Sequence, residues 1–443
     1  SMLAMEMRTG KTACSIALAS LWECRRVLVA CPLSVVGVWM AELELHSGLP
    51  WLFARLDRGS VAEKASKLME GAALARARKH PFFVVVNHES LWRAPFGVRA
   101  LDLPWDLLIV DESHRAKAPG GKLSAFLARI SERVPRRLAL TGTPLPHSPL
   151  DAYAQYRFLD RSIYGSSFNR FKNRYAVMGG YGGHEIKEWQ RMDEFSDRFH
   201  EIAFEVTTAE AFDLPEEMDI RRSAPLEPKA RKVYESMAEH FWAEVENGEI
   251  TAANALVRLL RLQQVTSGWI KDDDGVLQEI SVAKAELLRD ILQDFTERTP
   301  LVIFVRFVSD IEVVRQICEE QGRNVGEVSG RQKDLADDGT FPEDIDVMVC
   351  QIQSGSLGVN LSRSSTAIFY SWGWSLGDVE QARARIRHSE QVEKLQFIHL
   401  VIEDSIDERM IYCLKNRRDF IEDILEMGRH QCKKKSKRNA SKP

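Results

Sequence analysis

The chain has 443 residues, 44% hydrophobic and 28% charged, enough for two large domains or three ordinary ones and too apolar for wholesale disorder. No apolar run is long enough to span a bilayer and no basic-then-apolar leader opens the chain. Seven scattered cysteines, never spaced CxxC, argue against a disulfide framework or zinc site and for a reducing, cytoplasmic setting. The net charge of −4 conceals an asymmetry: Arg429, Lys433, Lys434, Lys435, Lys437, Arg438 and Lys442 put seven positive charges and no acid at the end, leaving −11 on the remainder. Such a tail is either a solvated end or an electrostatic arm for nucleic acid, and any nucleic-acid surface on the acidic body must be a local patch.

Short β-rich apolar runs at Val27–Ala30, Phe83–Val86, Leu107–Val110 and Leu138–Leu140 predict buried strands separated by amphipathic stretches. Ala13–Trp22 reads as a helix, and Ser60-Val61-Ala62-Glu63 is a capping-box signature opening another toward His80. From about residue 161 aromatic and basic residues crowd together in Phe168–Tyr175, and a glycine-rich turn at 179–183 follows. Helices are then expected over Leu226–Asn247 and Thr251–Ser267. The strand rhythm resumes with Leu301–Val305, Val347–Cys350, Ala367–Tyr370 and Phe397–Val401. Strands alternating with helices mean parallel sheets covered on both faces. The expected fold class is therefore α/β: two parallel-sheet lobes at 1–160 and 284–427, a mainly helical insertion at 161–283, and a basic tail at 428–443.

Met7-Arg8-Thr9-Gly10-Lys11-Thr12 stands before the first helix. A loop feeding a helix N-terminus turns backbone N–H groups and the positive dipole end toward an anion. Lys11 adds a charge for the β- and γ-phosphates of a nucleotide, and Thr12 a hydroxyl for Mg²⁺. The full phosphate-loop pattern has a glycine where Met5 stands, so Gly-Lys-Thr alone is a weak sign. Leu107–Val110 then runs straight into Asp111 and Glu112. At a strand end the first carboxylate suits a Mg²⁺ ligand and the second a base for the attacking water, whereas in isolation the pair reads as a solvated acidic turn. Thr141 and Thr143 end the next strand in Thr141-Gly142-Thr143-Pro144, where two hydroxyls can bond the catalytic edge; alone, the segment is simply a turn. Together, in this order, the segments point to a Mg²⁺-dependent nucleotide hydrolase.

The motif order resembles that of the superfamily-two helicases and, more narrowly, the Swi/Snf-type ATPases of chromatin remodelling and DNA translocation, over nearly the whole chain. Leu3–Thr12 is similar to the family's first motif, Cys31–Val36 with Trp39 to its next, and Val110–Lys117, including His114, to its Asp-Glu box. Val302–Phe307 resembles the motif opening the second lobe and Gly355–Leu361 the glycine-rich motif that touches nucleotide and DNA. Gln381–Gln391 resembles the arginine motif, and Leu259–Gln264 the bridging helix. The resemblance implies RecA-like lobes, ATP and Mg²⁺ as cofactors, and a monomer on double-stranded DNA without sequence preference. It implies nucleotide contacts at Thr9, Gly10, Lys11, Thr12, Gly358 and Gln381, metal ligation by Thr12 and Asp111, and catalysis by Glu112 with Arg385 and Arg387. Coupling to DNA is implied through His114, Thr141, Thr143, Gly355 and Asn360.

On one continuous helix Gln381 and Arg385 share a face, so the arginines read either as a solvated helix face or as a stripe directed at the phosphates from the second lobe. Two departures stand out. The family pattern ends His-Arg-Ile-Gly-Gln, and here Arg387-His388-Ser389-Glu390-Gln391 stands instead, so either Arg387 substitutes or hydrolysis is weakened. The family also carries an adenine-contacting segment upstream of the first motif, and this chain begins almost at that motif. The expected function is ATP-driven translocation on double-stranded DNA; the alternatives are a strand-separating helicase or a slow nucleotide-gated DNA clamp or partner platform.

Overall fold

The computed structural model describes residues 1–146, 148–179, 185–211, 216–247, 252–271, 276–336, 339–352, 359–374, 376–387 and 393–415. The chain divides into two compact units, Ser1–Asp213 and Leu214–Pro443.

In the first unit the strands are β1 (Met2–Met5), β2 (Arg26–Cys31), β3 (Leu52–Leu56), β4 (Phe82–Asn87), β5 (Leu107–Asp111), β6 (Arg136–Leu140), an antiparallel hairpin of β7 (Ala176–Gly179) and β8 (Glu185–Trp189), and β9 (Ala203–Val206). All but the hairpin form one parallel sheet in the order β3-β4-β2-β5-β6-β1-β9. Successive strand residues face opposite sides, so each apolar run feeds two cores. Val27, Val29, Leu107, Ile109 and Leu138 pack on one face with Ile16 and Trp39; Leu28, Ala30, Leu108, Val110 and Ala139 pack on the other. The helix expected at Ser60 spans Val61–Arg78, with Glu63 N donating to Ser60 Oγ at 3.2 Å and Ser60 N donating to the Glu63 carboxylate at 2.7 Å.

The stretch expected as a helical insertion is divided between the units. Tyr153, Tyr156, Tyr164, Phe171, Tyr175, Phe195 and Phe199 pack ring against ring into the core of the first unit. The Tyr164 hydroxyl donates to Phe195 O at 2.9 Å. The aromatic-rich segment is thus interior, with its basic residues left on the outer side. β9 then adds to β1 as an edge strand.

In the second unit the strands are β10 (Glu217–Ala224), the antiparallel pair β11 (Trp269–Lys271) and β12 (Leu277–Glu279), β13 (Leu301–Val305), β14 (Val325–Val328), β15 (Val347–Gln351), β16 (Thr366–Phe369) and β17 (Leu395–Ile402). A six-stranded parallel sheet runs β10-β17-β16-β13-β15-β14. Helices Pro228–Asn247 and Ala252–Thr266 lie where expected and bury Phe241, Leu259, Leu262 and Val265 in this unit's core. The architecture is two α/β units, each built on one parallel sheet. Among the described residues no helix is long and apolar enough to cross a membrane.

Candidate active site

Parallel pairing aligns the carboxyl ends of the first unit's strands along one edge, the place where open α/β sheets present their loops to ligands. β1 stops at Met5 and the chain turns through Glu6–Thr9 to Gly10, whose φ of +85° lies in the left-handed region. A Cβ there would meet nothing within 4 Å, so the turn itself is what calls for glycine. The helix Lys11–Leu21 begins at once, its first N–H groups pointing back toward the loop. The Lys11 ammonium donates to Met5 O and Glu6 O, both at 2.8 Å, and Thr9 Oγ1 donates to Glu6 O at 2.7 Å. Thr12 is partly exposed in the first turn. Glu6, which the sequence reading assigned no role, accepts from the backbone N and hydroxyl of Thr208, each at 2.8 Å, tying the loop to the segment after β9.

β5 pairs with β6 so that Asp111 stands beside Leu140, which brings the Asp-Glu box and the Thr141–Pro144 turn together. Asp111 Oδ1 accepts from Glu112 N at 2.9 Å and Oδ2 from Trp39 Nε1 at 3.4 Å. Burial and the neighbouring Glu112 charge push Asp111 up to about 7, against the pull of the Lys11 ammonium. The buried Asp111 carboxylate beside the Glu112 carboxylate is a donor set suited to a hard divalent cation. Glu112 has φ +48°, a strained backbone for a residue with a side chain. That turn brings its Oε2 within 3.4 Å of His114 Nδ1, which also lies 3.1 Å from Thr141 Oγ1. Burial lowers the His114 pKa, and the neutral ring with its proton on Nδ1 suits the carboxylate, which only accepts. Thr143 N donates to Thr141 Oγ1 at 3.1 Å, and Gly142 packs against Met5 O and Met7 N, so the Thr141–Pro144 turn touches the phosphate loop.

The brace behind this edge is Gln155, which sequence reasoning missed because a lone glutamine in an aromatic helix carries no motif. Ser113 Oγ donates to Gln155 Oε1 at 2.7 Å, and Gln155 Nε2 donates to Pro144 O at 2.7 Å and Asp151 O at 3.0 Å.

In the second unit Gln381 lies partly exposed on the helix Leu376–Ala384. That helix ends before Arg385, which sits in a turn with its carbonyl accepting from Leu361 N at 3.0 Å, so the expected helical stripe does not extend through the motif. Arg387 is bound by Glu217 at 2.5 and 3.0 Å, an ion pair that the sequence reading did not foresee. Asn360 Oδ1 accepts from Ser362 N at 3.1 Å. Gly355, Gly358, His388 and the basic tail lie outside the described residues.

The SNF2-related domain profile matches residues 1–268. A putative protein p41 of Acyrthosiphon pisum secondary endosymbiont phage 1 is 27% identical over 448 residues, covering 95% of this chain and 92% of the phage protein. The CHD3-type chromatin-remodeling factor CHR7 of Arabidopsis thaliana is 22% identical over 97% of this chain, which spans 36% of its length. The DNA repair and recombination protein RDH54 of Saccharomyces cerevisiae (strain ATCC 204508 / S288c) is 22% identical over 88% of this chain, which spans 43% of its length. The solved Sulfolobus solfataricus SWI2/SNF2 ATPase core in complex with dsDNA aligns with a TM-score of 0.41 and 20% identity, over 96% of this chain and 88% of that one. With a profile match over more than half its length, this chain belongs to the SNF2-related domain family.

Proposed function

We propose that the chain hydrolyses ATP in response to duplex DNA and uses the cycle to move along it. The observation that carries this reading is the single edge on which Lys11, Asp111, Glu112, His114 and Thr141 meet. Lys11 exchanges its two loop carbonyls for the β- and γ-phosphates, and the helix Lys11–Leu21 offers its N–H groups to the same oxygens. Thr12 and Asp111 would hold magnesium, which when bound supplies positive charge to the phosphate oxygens. Glu112 orients the attacking water and takes its proton, and the His114–Thr141 contact ties that carboxylate to the Thr141–Pro144 turn. Arg385 supplies a permanent, planar charge to the transferring phosphoryl group. DNA is gripped through its phosphates, so binding is indifferent to sequence and falls steeply with salt.

Displacement of a third strand from a DNA triplex tests the movement. ATP-dependent release of the third strand with the duplex intact is expected. Separated duplex strands would favour a helicase instead, and ATP turnover without displacement a stationary clamp.

A further inference from the structure

Three arginines alternate through the motif at 383, 385 and 387, and two of them are held by one strand. On β10, Glu217 and Asp219 are two residues apart and so face the same side of the sheet. Arg383 donates to Asp219 Oδ1 at 2.8 Å, Asp219 Oδ2 at 3.2 Å and Glu217 Oε2 at 2.8 Å, and its guanidinium lies 3.9 Å from the Phe397 ring centroid. Arg387 makes a two-pronged bond to Glu217, Nε to Oε1 at 2.5 Å and Nη2 to Oε2 at 3.0 Å. Glu217 Oε2 therefore serves both guanidinium groups at once.

The cluster is mostly shielded: the Arg383 and Arg387 side chains are 14% and 16% exposed and that of Glu217 is 23% exposed, so these pairs are worth more than solvated ones. Its floor is rigid. His399 Nε2 lies 2.6 Å from Asp219 Oδ1, and the His399 ring stacks on Trp372 with centroids 4.6 Å apart. Burial alone would raise Glu217 and Asp219, but the guanidinium groups, and His399 at Asp219, outweigh it and hold both carboxyls below their usual range.

Between the two clamped arginines the helix has ended, and the chain turns through Arg385 and Ile386, with Ile386 fully buried. The segment is fastened on both sides of Arg385, and Leu361 N fastens its carbonyl. We propose that Glu217 is a positioning residue: by clamping Arg383 and Arg387 it fixes the turn that presents Arg385, which makes Arg387 a strap and leaves Arg385 as the finger. This rests on reading Arg385 as the phosphate-facing arginine.

The test is steady-state ATP turnover by the full chain at saturating duplex DNA. Glu217→Gln should lower kcat by roughly ten- to a hundredfold, the scale of a misplaced catalytic group, with ATP KM little changed. Glu217→Arg paired with Arg387→Glu should recover much of what Glu217→Arg loses. In an Arg385→Lys background, which keeps a charge and measurable turnover, Glu217→Gln should add little further loss, because the arginine it positions is already gone. Additive losses would mean that Glu217 only supports the fold and would overturn the proposal, as would a Glu217→Gln kcat within about twofold of the parent when Arg385→Ala is inactive. Parental turnover in Arg385→Ala would instead remove the finger reading itself. Should Glu217→Gln fail to fold, Arg387→Lys, which keeps the charge but loses the fork, carries the same expectations.

Discussion

Replacing Gln155 by leucine removes the brace between the Asp-Glu box and the Thr141–Pro144 turn. The side chain is 0% exposed, as is Ser113, whose hydroxyl it accepts, while the carbonyls of Pro144 and Asp151 belong to partly exposed residues and can turn to water. One fully buried orphan hydroxyl together with two weakened bonds costs about 2–4 kcal/mol. For the first unit, Ser1–Asp213, that corresponds to a melting temperature lower by roughly 5–15 °C. The loop holding Pro144 and the turn holding Glu112 lose their common tie, so kcat for ATP should fall by roughly tenfold or more while ATP KM changes little. Adding Ser113→Ala removes the orphan, and the double variant should melt above Gln155→Leu alone, since paired partners are not additive. Thermal melting of parent, both singles and the double, alongside ATP turnover, gives the full cycle. A Gln155→Leu protein melting within about 2 °C of the parent, or a double variant melting below the single, would refute the reasoning.

Lys11→Ala should abolish turnover, and Glu112→Gln should still bind nucleotide yet hydrolyse it about a hundredfold or more slowly, read by fluorescent-nucleotide titration and phosphate release; a Glu112→Gln protein at the parental rate removes the assigned base. Asp310, fully buried and accepting from Ser371 Oγ at 2.5 Å, is pushed up to about 6 by burial. A raised folded pKa means stability present near pH 4 is lost as pH rises through 6. Asp310→Asn should therefore gain on the parent over that window by up to about 3 kcal/mol in urea melts, and a constant difference would contradict it. Deleting residues from Arg429 onward should weaken DNA binding and flatten its salt dependence, each tail cation on a phosphate adding about 0.9 to the slope; an unchanged slope means the tail makes no such contact.

The apolar runs at Val27, Phe83, Leu107, Leu301 and Val347 were legible because a strand buried on both faces must be apolar throughout, and Ser60 with Glu63 announced its helix through a local bond. β1 was not, being four residues beside the phosphate loop, nor was β10, whose Glu217-Met218-Asp219-Ile220-Arg221-Arg222 reads as solvated chain. An edge strand half open to water lacks the apolar signature, and its identity comes from pairing with β17 nearly 180 residues later. The aromatic and basic run at 168–175 carried no burial reading, because its basic residues hid a period placing Phe171 and Tyr175 on one buried face. Lys11, Asp111, Glu112 and Thr141 stood out as residue types suited to phosphate chemistry, and His114 through the family resemblance alone. Gln155, Glu6 and Glu217 did not, since each acts through a partner distant in sequence.

The most direct test of the central claim is ATP turnover by the purified full chain with no DNA, with single-stranded DNA, and with duplexes of increasing length. A rate that is low without DNA, rises with duplex far more than with single strands, climbs with duplex length and disappears in Lys11→Ala is the predicted result. Turnover indifferent to DNA, or stimulated equally by single strands, would contradict it.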